Sequence, residues 1–192
     1  MIEITNTQNN KIEVKTPYSA LFVSRLKESI GKRKWDSEKR VWVIEEEDRD
    51  ALMAVLKEVF GYEDDGGETC DVEITLDPHY CVDRGPIMIA GVVIAKAWGR
   101  DTGAKLGENV TVLKGGFKSG GSRVNWDTRM DEETVVRVKN FPAWGLGENV
   151  QANVKNFKIK KISDIKVNRE KLMKEKEELL ARLAEIDKIL AE

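Results

Sequence analysis

The feature that most constrains this chain is a change of apolar period across one acidic, glycine-containing stretch, residues 63–69 (EDDGGET). Before it, apolar residues recur at helical steps, first Tyr18, Leu21, Phe22, Leu26 and Ile30, then Ala51, Leu52, Val55, Leu56, Val59 and Phe60. After it, they fall into short alternating or continuous runs, DVEITL, PIMIAGVVIAKAW, NVTVL, TVVRVKNF and NVQANVKNFKIKKI, with glycine turns between them. Two periods on either side of a turn-rich linker predict two units. The expected class is α+β: a small α/β module over residues 1–62, an acidic linker over 63–69, an all-β barrel or sandwich over 70–163, and an amphipathic helix over 164–192. A chain of 192 residues can bury such cores without covalent staples.

Within the first unit the order reads β-α-β-β-α. KIEVK is a strand; Thr16 is the expected cap of a helix whose first residue is Pro17, where a missing N–H costs nothing. Gly31 is expected to end that helix and Gly61 to end the second. The acidic run EEEDRD at the start of the second helix suits the positive end of the helix dipole. In the β unit, AWGRDTGAKLGENVTV and AWGLGENVQANV share AWG and LGENV, which predicts two corresponding barrel corners. At the end of the chain Asn168 is the expected cap of a helix carrying Leu172, Leu179, Leu183, Ile186 and Leu190 on alternating three- and four-residue steps. Lys176 interrupts this heptad seam. Self-association through residues 168–192 is the expectation, ahead of docking on the β unit.

Overall charge does not advertise a polyanion partner, since the formal net charge is −2. Any such function must rest on local patches. Between Arg25 and Arg40 the chain gathers seven basic residues, Arg25, Lys27, Lys32, Arg33, Lys34, Lys39 and Arg40, against Glu28, Asp36 and Glu38. Two tryptophans, Trp35 and Trp42, stand among them. The DSEK segment is a turn, so the stretch GKRKWDSEKRVWVI reads as a β-hairpin with Trp35 and Trp42 paired across it. Trp42 and Ile44 are expected on one face of the second strand, with Val41 and Val43 on the other.

A strand, a helix ending in Ile-Gly, basic-basic-x-Trp-Asp, a short turn, Lys-Arg-x-Trp-x-Ile and a second helix together resemble the HARP domain of annealing helicases. The same unit is similar to the damage-recognition domain of some repair helicases. The likeness covers about residues 11–61 and rests on Gly31, Arg33, Trp35, Asp36, Lys39 and Trp42. It implies a module that binds single-stranded or forked DNA, with Trp35, Asp36 and Trp42 mainly architectural. Phosphate contacts would then fall to Arg25, Lys32, Arg33, Lys34, Lys39 and Arg40. The helicase motor has no counterpart here, as no phosphate-binding Gly-Lys-Ser/Thr loop occurs; only DNA binding transfers.

A second basic stretch, KGGFKSGGSRVNWDTR, contains Lys114, Lys118, Arg123 and Arg129 against Asp127, with Phe117 and Trp126 interleaved. Cations beside ring faces on a β loop are what single-strand binding uses. A hairpin loop with both rings tucked inward is the competing reading.

Other chemistry finds little support. Cys70, His79 and Cys81 lack the paired Cys-x-x-Cys spacing of a structural zinc site, so no metal or other cofactor is expected. The single histidine and the absence of a nucleophile elbow argue against a catalytic triad, and no enzyme is expected. Two cysteines, no signal-peptide pattern at residues 1–14 and no apolar run near the roughly 20 residues of a membrane span point to a cytoplasmic protein without a membrane partner. The leading expectation is a non-enzymatic DNA-binding accessory factor of replication, repair or a mobile element. The alternative is a protein-interaction module or inhibitor that binds a nucleic-acid-processing enzyme.

Overall fold

The computed structural model describes residues 2–7, 9–64, 66–148, 150–166 and 169–190. The first unit contains β1 (Glu3–Thr7), β2 (Lys11–Lys15), α1 (Ala20–Ser29), β3 (Arg33–Asp36), β4 (Val41–Glu45) and α2 (Arg49–Phe60). Its antiparallel sheet has the order β1-β2-β4-β3, so β4 is interior and β3 is an edge. The expected β-α-β-β-α series is present, preceded by β1, whose sequence EITNT carries no apolar run to announce it.

The alternation of β2 and β4 sends Ile12, Val14 and Ile44 to one face, where α1 and α2 cover them with Phe22, Leu26, Ile30, Leu52, Val55, Leu56 and Phe60. Phe22 and Phe60 close this core with ring centroids 5.4 Å apart. α1 begins later than Thr16 and Pro17 suggested. Ser19 is its cap, in extended conformation, and its hydroxyl accepts the N–H of Phe22 at 3.2 Å. Tyr18 therefore precedes the helix and is 66% exposed, and Leu21 is 53% exposed, so neither joins the expected stripe. Extended Ile30 ends α1 ahead of Gly31, whereas Gly61 ends α2 in the left-handed region (φ 70), as its position suggested. A three-residue 3-10 turn, Glu46–Asp48, carries the acidic run into α2.

The second unit contains β5 (Thr69–Leu76), β6 (Tyr80–Asp83), β7 (Pro86–Ile89), β8 (Val92–Ala97), β9 (Ala104–Leu106), β10 (Val110–Lys114), β11 (Lys118–Gly121), β12 (Trp126–Met130), β13 (Thr134–Pro142) and β14 (Phe157–Lys161). They form three open antiparallel sheets, β10-β13-β5-β14, β11-β12-β6 and β7-β8-β9, not a closed barrel. Register breaks at Ile87/Met88, Val112/Lys114 and Val138/Phe141 interrupt the ladders. Such bulges bend and twist strands, which lets short sheets wrap one core without closing on each other. That core joins Cys70, Val72, Ile74 and Leu76 of β5 to Ile87, Ile94, Met130, Val136 and Phe141.

The two near-repeats do not form equivalent corners. In the first, Ala97 ends β8 and Gly107-Glu108-Asn109 turns β9 into β10, with Asn109 left-handed (φ 61). In the second, Ala143–Leu146 is a 3-10 turn, no strand follows at once, and Asn149 lies outside the described residues. The units touch through Met88, which packs on the first core, and through the rings of Tyr62 and Trp144, 5.6 Å apart.

α3 (Arg169–Leu190) carries the heptad seam. Leu172, Leu179, Leu183 and Ile186 are all exposed, with Leu179 at 64%. Asn168, its expected cap, and the side chain of Leu190 lie outside the described residues. Among the described residues, no helix is long and apolar enough to cross a membrane.

The packing generates a direct test. Phe60→Ala removes a ring that is 1% exposed, and unfolding in urea is expected to reveal a loss of about 3–5 kcal/mol in the first unit.

Candidate nucleic-acid interface

The β3–β4 register sets Trp35 opposite Trp42 and Arg33 opposite Ile44. Partners across a strand pair share a face, so Trp35, Arg33, Trp42 and Ile44 lie on the helix side, while Lys34, Asp36, Val41 and Val43 face away. Trp42 is half-buried against the first core. Trp35 sits on the edge strand, its ring centroid 5.2 Å from that of Trp42, and remains 47% exposed. Its half-open ring is propped on that of a second tryptophan. The turn between the strands is built by Asp36, whose carboxylate accepts the N–H groups of Lys39 (3.0 Å) and Glu38 (2.9 Å). Those bonds, with that to Lys39 foremost, hold the Asp36 pKa below the ordinary aspartate value. Arg40 completes the turn with a left-handed backbone (φ 56).

The six cations expected to touch phosphate are not equivalent. Arg25 reaches Glu58 (2.9 Å) and Glu28 (3.1 Å), and Lys39 reaches Glu13 at 2.6 Å. Arg33 donates to the carbonyl of Ile30 at the end of α1. Lys32, Lys34 and Arg40 are exposed and form no ion pair among the described residues. These three surround Trp35 in the chain and define the open part of the hairpin.

The glycine-rich stretch becomes the β11–β12 hairpin, and most of its charges are neutralised. Lys114 pairs with Glu133 at 2.7 Å and Lys118 with Asp131 at 3.0 Å. Arg129 grips Asp127, which is 4% exposed, through two hydrogen bonds, that from Nε measuring 2.7 Å. This pair raises the Arg129 pKa above its ordinary value. Gly120 makes room for it, since a Cβ there would collide with the Arg129 guanidinium. Arg123 alone of the four is exposed without an ion pair among the described residues. Phe117 packs against the second core, and Trp126 is half-buried on the strand face of Thr128 and Met130.

Cys70, His79 and Cys81 do not converge. Cys70 is buried on β5, where desolvation pushes its thiol pKa up, and His79 occupies a left-handed turn (φ 63). Cys81 instead faces Asp83 and Asp127, with ligand-type atoms within 4.8 Å of one another, but Asp127 already holds Arg129.

Two features escape sequence reasoning. The outer face of the sheet β10-β13-β5-β14 presents Lys114, Arg137, Lys139, Lys158 and Lys160. Glu73 answers Arg137 at 2.8 Å, whereas Lys139, Lys158 and Lys160 have no ion pair among the described residues. The alternation of FKIKK carries this signal, with Phe157 and Ile159 directed inward. The other is Trp98, 55% exposed, with the ammonium groups of Lys96 and Lys105 at 5.3 and 5.9 Å from its ring centroid. Its signal lies in AKAW, where buried alanines alternate with Lys96 and Trp98.

Comparison of the chain with protein-family models, with curated proteins and with solved structures finds no match.

The turn chemistry has a pH signature. The folded-state pKa of Asp36 is depressed, so its contribution is present above the unfolded value of about 3.9 and is lost as pH falls through the lower folded value. NMR titration is expected to place the Asp36 carboxyl midpoint below that unfolded value, with the amide signals of Glu38 and Lys39 moving together with it.

Proposed function

We propose that the chain is a non-enzymatic DNA-binding protein that prefers single-stranded or branched DNA. The observation that carries this reading is the β3–β4 hairpin, where Lys32, Lys34 and Arg40, exposed and without an ion pair among the described residues, flank the half-exposed Trp35 in the chain, Lys34 from the opposite face of β3. Cations that track phosphates beside a ring that stacks bases are the recurring parts of single-strand recognition. Cation–carboxylate pairs such as Lys39–Glu13 do not oppose it. Exposed pairs contribute only ~0–1 kcal/mol, so a phosphate can take the place of the carboxylate. The likeness of residues 11–61 to HARP domains supports the same reading, and the lysines of the β10-β13-β5-β14 face would extend the phosphate track. The protein would act in the cytoplasm as an accessory factor of replication, repair or a mobile element.

A second reading has its own support. With a net charge of −2 and an exposed apolar seam on α3, the chain also suits a protein-interaction module that binds a nucleic-acid-processing enzyme. The heptad spacing favours a second copy of the chain as the partner of that seam.

Fluorescence anisotropy with labelled single-stranded, duplex and forked DNA of one length separates the readings. Tight, salt-sensitive binding that ranks fork or single strand above duplex is expected; no binding at low salt would favour the protein-interaction reading. Lys32→Ala, Lys34→Ala and Arg40→Ala combined should weaken binding uniformly across sequences. The log–log salt slope should become shallower by about 0.7 for each phosphate that is no longer neutralised. Sedimentation velocity is expected to show self-association that Leu179→Asp abolishes; an unaltered chain that sediments as a monomer would remove the oligomer.

A further inference from the structure

The strand pair β8–β9 contains a local conflict. Its register sets Lys96 directly opposite Lys105. Like charges facing each other across a strand pair destabilise a sheet, and the usual remedy is a neighbouring carboxylate. Neither lysine has an ion pair among the described residues. Asp101, the acid between them in the chain, is engaged by Arg100 at 2.9 Å. Both ammonium groups instead lie over Trp98, which follows Lys96 by two residues in the bend just past the end of β8.

The backbone that carries the ring is hydrogen-bonded to its surroundings. The N–H of Ala97 donates to the buried Thr128 hydroxyl at 2.9 Å, and the N–H of Trp98 donates to Thr102 Oγ1 at 3.2 Å. The Ser119 hydroxyl ties the loop to β11, accepting from the N–H of Gly103 (3.0 Å) and donating to the carbonyl of Arg100 (2.6 Å). These bonds seat a half-exposed ring on sheet elements, with two ammonium groups over its rim that have no ion pair among the described residues. Burying Trp98 would stabilise the fold, and separating the lysines would relieve their repulsion. The arrangement does neither.

Its complement is a ligand that offers a flat π-face and a negative charge a few ångströms apart. An unpaired nucleotide is such a ligand: the base stacks on the indole and the phosphate lies between the two ammonium groups. A duplex keeps its base faces inside the stack and cannot present one. We propose that Trp98, Lys96 and Lys105 form a base-stacking site on the β unit for an unpaired stretch of DNA. The inference rests on the DNA-binding reading above and places a site outside the hairpin on which that reading stands.

The test titrates the full chain with a labelled oligothymidylate and with an abasic oligomer of the same length, at low and moderate salt. Trp98→Ala should weaken oligothymidylate binding about tenfold while leaving abasic binding within about twofold. Trp98→Phe should retain most of the oligothymidylate affinity. Lys96→Gln with Lys105→Gln should weaken both oligomers and flatten the salt slope. Thermal unfolding of each variant checks the fold. Should Trp98→Ala unfold, the comparison passes to the lysine pair, whose unchanged slope would overturn the site. If folded Trp98→Ala binds both oligomers like the unaltered chain, the stacking site is overturned while DNA binding stands. If the unaltered chain binds neither oligomer at low salt, the DNA-binding reading itself falls, and the site with it.

Discussion

The β unit depends on β5 keeping its two-residue alternation. Cys70, Val72, Ile74 and Leu76 all point inward and are fully buried, while Asp71, Glu73 and Thr75 point out. Paired with β13 on one side and β14 on the other, this strand fixes the register of both neighbours. A slip of one residue would turn the apolar row to water and the acids into the core. The outward acids are tied to the strand's surroundings. Asp71 accepts the N–H of Asn140 and the ammonium of Lys166, both at 3.1 Å, and its own N–H donates to Ser163 Oγ at 2.7 Å. One residue therefore holds the bulge of β13 and the chain leaving β14 against the same strand end.

That frame also decides which surface charges remain open. Glu73 of β5 stands in register with both Arg137 of β13 and Lys160 of β14, and it is Arg137 that it meets, at 2.8 Å. In the first unit, Glu13 of β2 reaches Lys39 in the hairpin turn and leaves Lys34 and Arg40 without an ion pair among the described residues. The open cations matter because an anion meeting them need not displace a carboxylate. Net charge says nothing of this, because it counts paired and open groups alike.

The end of α2 and the faces of the β3–β4 hairpin are the most legible parts of the chain. The stop at Gly61 needs only local backbone physics, and the pairing of Trp35 with Trp42 follows from a short turn between two strands. The start of α1 is harder to place because Thr16 and Ser19 are both competent caps, and Ser19 is the one whose hydroxyl meets the Phe22 N–H. In the candidate site, local composition locates the basic hairpin, but it cannot rank its cations. The partners of Arg25 and Lys39 include Glu58 and Glu13, which are remote in the chain. Phe117 and Trp126 stand out in the sequence as the rings of a basic loop, yet Phe117 packs against the core and Trp126 is half-buried, and the exposed ring near that hairpin is Trp98.

By itself the sequence determined the change of period at the linker, the mixed α+β class, the two helices of the first unit and the basic hairpin. Each of these is set by residues within a few positions of one another, through side-chain period, capping and turn chemistry. Only the tertiary structure decided that the strands of the second unit form three open sheets and not a barrel, and that the two LGENV segments differ. It also decided which aromatic rings and ammonium groups face water. Those outcomes depend on which strands pair and on which distant carboxylate or apolar face each side chain meets, and no local pattern encodes a neighbour tens of residues away.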